Sequence, residues 1–154
     1  MNKQKSAVIM AIFFVAIIAC TKTSDNNIIC TQSIAPSFVN LKVIEKTTGE
    51  DVFFSSAPTL QLKELYFFKI RDNLRKDTIR PEVEGAGQSR YFKLRVDNTK
   101  QQDTLIIRIG NNPEAHFRYL IKKSEEVCPT YVVDKLYFKE EEVQSVDGKY
   151  TLRN

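Results

Sequence analysis

Apolar residues at every second position, in short runs cut off by turn residues, constrain this chain more than any other feature. Val39, Leu41 and Val43 alternate with Asn40 and Lys42, and Phe92, Leu94 and Val96 alternate with Lys93 and Arg95. Leu105, Ile107 and Ile109, then Phe117, Tyr119 and Ile121, repeat the pattern. Successive side chains of a strand point to opposite faces, so each run buries one face and wets the other. Lys46 to Glu50 read as a turn into Val52-Phe53-Phe54, taken as a further strand; Asp97 to Asp103 and Asn111-Asn112-Pro113 separate later runs. Tyr131 to Phe138 follows Cys128-Pro129, and Asp147-Gly148 is a hairpin signal before Tyr150 and Leu152. All 5 glycines fall in or at the edge of these breaks. The spacing predicts an all-β protein built as a two-sheet sandwich.

One segment has two readings. Between Thr59 and Lys76, residues Leu62, Leu65, Tyr66, Ile70 and Leu74 recur at helical spacing, and Pro58-Thr59 can open a helix. Leu65-Tyr66-Phe67-Phe68, however, is rich in residues that favour sheets, and a strand from about Glu64 to Arg71 is the expectation. The aromatic neighbours Phe53-Phe54 and Tyr66-Phe67-Phe68 cannot all enter one core if both runs are strands. Some of these rings are therefore expected on a second surface, where they can bind sugar or protein.

The first twenty residues have a different character. Lys3 and Lys5 precede Ala7 to Ala19, a run with no polar side chain. That order is a secretory signal. A membrane-spanning helix needs about 20 apolar residues, more than this run supplies. The closing Ile17-Ile18-Ala19-Cys20 resembles the bacterial lipobox. The resemblance implies cleavage between Ala19 and Cys20, and acylation of Cys20 with two or three chains, enough for stable attachment where one is marginal. Thr21 is not acidic, which in the sorting rule of Gram-negative lipoproteins implies delivery to the outer membrane. Residues 1–19 are thus expected to be a signal peptide, 20–29 a lipidated tether, and 30–154 a single sandwich domain. Thr21 to Ile29 can span about 30 Å at full extension, which keeps the domain close to the lipid.

Removing residues 1–19 from the 154 leaves 135, enough for one domain with a real core. The 23 basic residues fall to 21 against 19 acidic ones, so the net charge of +4 drops to +2. Together with export, this argues against a nucleic-acid partner. With Cys20 assigned to lipid, Cys30 and Cys128 are most simply a disulfide, because exported chains meet oxidising surroundings. A loop of about 100 residues gives such a bridge up to roughly 4.7 kcal/mol in the chain-entropy model. A catalytic thiol or a zinc site built with His116, the single histidine, is the sharper alternative, and no close ligand spacing supports it.

Other candidates are polar clusters. Glu82 and Glu84 would share one face of a strand and can pose as a carboxylate pair for glycan hydrolysis, although Pro81 and Gly85 point to a loop margin. Gly85-Ala86-Gly87 lacks the third glycine and the following helix of a phosphate-binding loop. Lys69, Arg71, Arg75, Lys76 and Arg80 form a basic stretch suited to an anionic lipid or lipopolysaccharide surface, and Glu140 to Glu142 form an acidic one. No metal or cofactor is expected.

Behind its signal, the chain resembles the small β-sandwich lipoproteins of Gram-negative envelopes, with a cysteine soon after the tether and Cys128-Pro129 late in the chain. The resemblance implies an Ig-like or transthyretin-like antiparallel sandwich of about 7–8 strands and carries over no catalytic residue. The expected function is a non-enzymatic, membrane-anchored binding or accessory module whose partner is an envelope protein or glycan. A small envelope-glycan hydrolase using Glu82 and Glu84, and a purely structural lipoprotein, are the alternatives.

Overall fold

The computed structural model describes residues 35–71, 74–126 and 128–154. The signal segment, Cys20, the tether and Cys30 lie outside the described residues. Within the unit Gln32–Asn154 the alternating runs become strands β1 (Ser37–Ile44), β2 (Leu65–Arg71), β3 (Leu74–Ile79), β4 (Glu82–Glu84), β5 (Tyr91–Val96), β6 (Gln102–Ile109), β7 (Ala115–Lys123), β8 (Tyr131–Phe138), β9 (Glu141–Val143), β10 (Ser145–Val146) and β11 (Lys149–Arg153). β4, β9 and β10 have only two or three residues; the other eight have five or more. Of those eight, β1, β5, β6 and β7 carry the clear alternating signature in the sequence.

The strands form two sheets, in the orders β10-β11-β1-β5-β4 and β3-β2-β6-β7-β8-β9. Their inner faces share one hydrophobic core. Val39, Leu41 and Val43 of β1, Phe92 and Leu94 of β5, Ile107 of β6, Phe117 and Tyr119 of β7, and Leu152 of β11 are all buried there. Burying one such side chain stabilises the fold by about 1.5–3 kcal/mol relative to leaving it in water. The two-residue turn Asp147-Gly148, with φ of 50° and 71°, joins β10 to β11 as the sequence predicts. Positive φ at both central residues matches the right-handed twist of the flanking strands.

One pairing departs from the all-antiparallel expectation. β1 and β11 run parallel, from Leu41↔Tyr150 to Ile44↔Arg153. A parallel pair needs a crossover instead of a hairpin, and here the connection is the rest of the domain. The first and last of the described strands thus lie side by side.

Val52-Phe53-Phe54 is a turn and not a strand. Asp51 Oδ1 accepts hydrogen bonds from the Phe53 amide at 2.9 Å and the Phe54 amide at 2.8 Å. A side-chain acceptor that satisfies two successive amides gives the backbone an alternative to a ladder. The turn lets adjacent rings enter the same core: Phe53 and Phe54 are both buried, with centroids 5.0 Å and 4.8 Å from that of Phe92. The conflict over adjacent aromatics is resolved differently in β2. There Phe67 is in the core, while Tyr66 and Phe68 lie edge to face, 4.9 Å apart, on the outer side of the six-stranded sheet.

The 59–76 segment follows the strand reading. A single 3-10 turn, Leu62–Glu64, leads directly into β2. The turn is closed by the Gln61 amide donating to Glu64 Oε2 at 2.6 Å. Sheet partners on both sides, β3 and β6, outweigh the helical spacing.

Candidate functional site: the end of the sandwich where the chain enters

The register places five segments at one end of the domain. Ser37 at the start of β1 pairs with Val96 at the end of β5, and residues 97–101 then cross to β6. Antiparallel pairing of β2 with β6 brings the β2–β3 turn to the same end, its last pair being Arg71↔Leu74. The end of β7 and the start of β8 meet there through Lys123↔Tyr131. Ala35, where the chain enters the described domain, is tied to this end by Asn98, whose side-chain amide donates to the Ala35 carbonyl at 2.8 Å.

A polar network fixes the 97–101 crossing. Lys69 lies in β2, and its ammonium stands 2.9 Å from Asp97 Oδ2 and 2.8 Å from Asp103 Oδ2. The Tyr119 hydroxyl, carried by β7, accepts the Asp97 amide at 3.1 Å. Thr99 donates to Asp97 Oδ1 from both its amide, at 3.0 Å, and its hydroxyl, at 2.6 Å. The Thr99 hydroxyl, with the Lys69 ammonium beside it, holds the Asp97 carboxyl well below the usual carboxylate range. Burial draws the Lys69 ammonium down, but its hydrogen bonds to Asp103 and Asp97 outweigh that and leave it above its ordinary value. Burial, reinforced by the Asp103 charge, pushes the Tyr119 phenol up. Charged groups taken partly out of water in this way are kept only when paired.

Beside this network lies a cleft of about 610 Å³, formed by the 98–101 loop, by Ile121, Lys122 and Lys123 of β7, and by Tyr131. Ile121 is buried and forms an apolar floor. Lys122 pairs with Asp134 at 2.7 Å, and that hydrogen bond raises its pKa. Lys100 and Lys123 are exposed. The sequence reading missed this cleft because its lysines lie on two segments some twenty residues apart, which only the β6–β7–β8 pairing brings together. The Lys122-Lys123 pair at the end of an alternating run was the one visible trace.

The residues singled out from sequence are dispersed. Lys69 is committed to Asp97 and Asp103, which takes it out of the basic set proposed for an anionic surface. Arg71 and Arg75 lie at the β2–β3 turn and Lys76 along β3. Arg80, past the end of β3, is exposed, with its guanidinium 3.5 Å from the Lys63 carbonyl. The acidic stretch is remote: Glu141 and Glu142 lie in β9, the opposite edge of the sheet from β3. Glu140 sits at the β8–β9 turn, beside His116 at 3.3 Å.

Glu82 and Glu84 do share β4, an edge strand. The Glu84 carboxylate accepts from Lys93 at 2.7 Å and from Tyr91 at 2.8 Å. These bonds, Lys93 first, lower its pKa, the opposite of what a general acid in glycoside hydrolysis needs. Gly85 has its own structural reason: at φ 88° a Cβ would come within 3.0 Å of the Ser89 carbonyl oxygen. Cys128 lies in the β7–β8 connection, at the far end of β7 from His116. The seven steps from His116 to Lys123 alone separate them by roughly 23 Å along the strand. Among the described residues no three His, Cys, Asp or Glu side chains are grouped to hold a metal ion. The expected partner of Cys128, Cys30, lies outside the described residues.

Compared with known proteins, the chain matches no family model, no curated protein and no solved structure.

Proposed function

We propose that this chain is a lipoprotein of a Gram-negative envelope, cleaved before Cys20 and anchored in the outer membrane by acyl chains on that residue. Its sandwich serves as a non-enzymatic binding or accessory module for an envelope protein or glycan. The observation that carries the reading is the sequence Ile17-Ile18-Ala19-Cys20 behind the apolar run and Lys3 and Lys5; the tie between Asn98 and Ala35 fixes the end at which a tether arrives. A tether arriving at Ala35 holds one end of the sandwich toward the lipid and directs the opposite end, and the lengths of the edge strands, away from it. An edge strand or the distal loops are then the surfaces a partner can reach.

A disulfide between Cys30 and Cys128 belongs to the same proposal. Cys30 precedes Ala35 by five residues, a reach of at most about 17 Å. The bridge would fasten the tether to the β7–β8 connection. Alkylation of the non-reduced mature protein is expected to label neither cysteine.

Crosslinking on intact cells, followed by mass spectrometry of captured proteins and glycans, tests the binding function. A reproducible partner crosslinked through the distal loops or an edge strand is the expected result, and the absence of any reproducible partner would sink it.

A further inference from the structure

The cleft at the entry end has the chemistry of a headgroup site. We propose that it docks on the anionic phospholipid of the membrane that holds the anchor, with Lys100 and Lys123 meeting lipid phosphates and Tyr131 lying at headgroup level. This rests on the lipoprotein reading and adds to it an orientation and a ligand class.

Four observations support it. First, among the described residues neither Lys100 nor Lys123 has an acidic partner, whereas Lys69 and Lys122 are paired. Two uncompensated ammonium groups therefore flank a cleft of about 610 Å³. Second, Tyr131, the cross-strand partner of Lys123, is exposed at 43%. A tyrosine beside lysines is the composition that settles at a membrane interface, ring in the headgroup layer and amines toward phosphate. Third, the 97–101 loop is held by the Asp97 network, so Lys100 is presented from a fixed backbone and only its side chain is ordered on binding. Fourth, the chain arrives at this end. In the lipoprotein reading the anchor at Cys20 lies fifteen residues before Ala35, a reach of at most about 50 Å, so the entry end is the part of the sandwich held nearest the lipid.

The charge balance sets the strength of the contact. Glu125 and Glu126 follow in the β7–β8 connection and Asp134 offsets Lys122, so the attraction is modest and salt-sensitive. A lysine near an anionic leaflet gains about 1 kcal/mol, equivalent to about a fivefold change in an equilibrium. The anchor provides residence on the membrane and the cleft provides orientation.

Per-lysine acetylation of the full lipidated chain, read by mass spectrometry, tests this. The chain is reconstituted in vesicles of phosphatidylcholine alone, or of phosphatidylcholine with phosphatidylglycerol at about three to one. Lys100 and Lys123 are expected to react about fivefold more slowly in the anionic vesicles, with Lys46 and Lys139 unchanged and the protection abolished by about 0.5 M salt. Equal labelling in both vesicles, or equal protection of Lys46 and Lys139, overturns the proposal. So does protection by inorganic phosphate in the neutral vesicles, which would assign the cleft to a soluble anion. The N-terminal peptide of the same digest separates the two claims. An acylated Cys20 with unprotected lysines removes the cleft and leaves the anchor; an unmodified Cys20 with protected lysines does the reverse.

Discussion

The Asn98 side-chain amide donates to the Ala35 carbonyl at 2.8 Å, and this single bond joins the loop of the cleft to the point where the chain enters the sandwich. Its removal in Asn98→Ala is expected to cost about 1 kcal/mol or less, as for one exposed hydrogen bond. Hydrogen exchange should quicken at the first amides of β1 and stay unchanged in β6 and β7. Equal acceleration everywhere would mean that the bond is not a local tie.

Lys69 is the hub of the polar network, since its ammonium reaches both Asp97 and Asp103. Lys69→Met leaves two carboxylates facing each other in a partly buried site. A loss of about 2 kcal/mol is expected in denaturant unfolding, below the 3–5 kcal/mol of a fully buried pair because Asp97 retains solvent contact. A second change, Asp103→Asn, should recover part of it by removing the repulsion. A loss under 0.5 kcal/mol in the single variant would show that water already screens the pair.

The same network predicts the pH dependence of stability. The folded-state pKa of Asp97 is depressed, the Thr99 hydroxyl being the first cause. Its contribution is complete above the unfolded value of about 4 and drains as pH falls below it. Lys69 and Tyr119 are both raised in the folded state, so their contributions are complete below about pH 10 and drain above it. Unfolding free energy measured against pH should therefore fall at both extremes. In Thr99→Val the acid fall should be shallower and the alkaline fall unchanged. An acid limb identical to that of the parent chain would contradict the role given to Thr99.

Gly85 and Gly87 both have positive φ, yet only Gly85 faces backbone atoms, with Ser89 O at 3.0 Å and Arg90 Cα at 3.1 Å from an added Cβ. Gly85→Ala combines left-handed strain with a backbone clash and is expected to cost more than 2 kcal/mol. Gly87→Ala meets open space and should cost about 1 kcal/mol. Thermal unfolding of the two variants gives the ranking, and equal losses would mean that the segment shifts to make room.

What the sequence made legible was local. Period-two alternation identified the inner faces of β1, β5, β6 and β7 correctly, because each run buries one side and a slip of one residue would invert it. Asp147-Gly148 announced its hairpin because few residue pairs accept positive φ at both central positions of the turn. Val52-Phe53-Phe54 misled because composition favours a strand, while the deciding contact, Asp51 to two amides, looks in sequence like any surface aspartate. The parallel meeting of β1 with β11 has no local signature at all. The basic stretch was legible as charge but not as role: Lys69 turns toward Asp97 and Asp103, and those partners lie 28 and 34 residues away. The cleft lysines were hidden for the same reason, since their proximity is a property of sheet order.

The chain contains no tryptophan, which permits a direct measurement of orientation on the membrane. Tyr131→Trp places a single reporter at the cleft, and Tyr66→Trp places one on the outer face of β2 near the opposite end. Each lipidated variant, reconstituted in anionic vesicles carrying brominated acyl chains, is read by the quenching of its tryptophan fluorescence. Quenching several-fold stronger for Tyr131→Trp than for Tyr66→Trp is the result expected of a sandwich that stands on its entry end. Equal quenching, or stronger quenching for Tyr66→Trp, would contradict it.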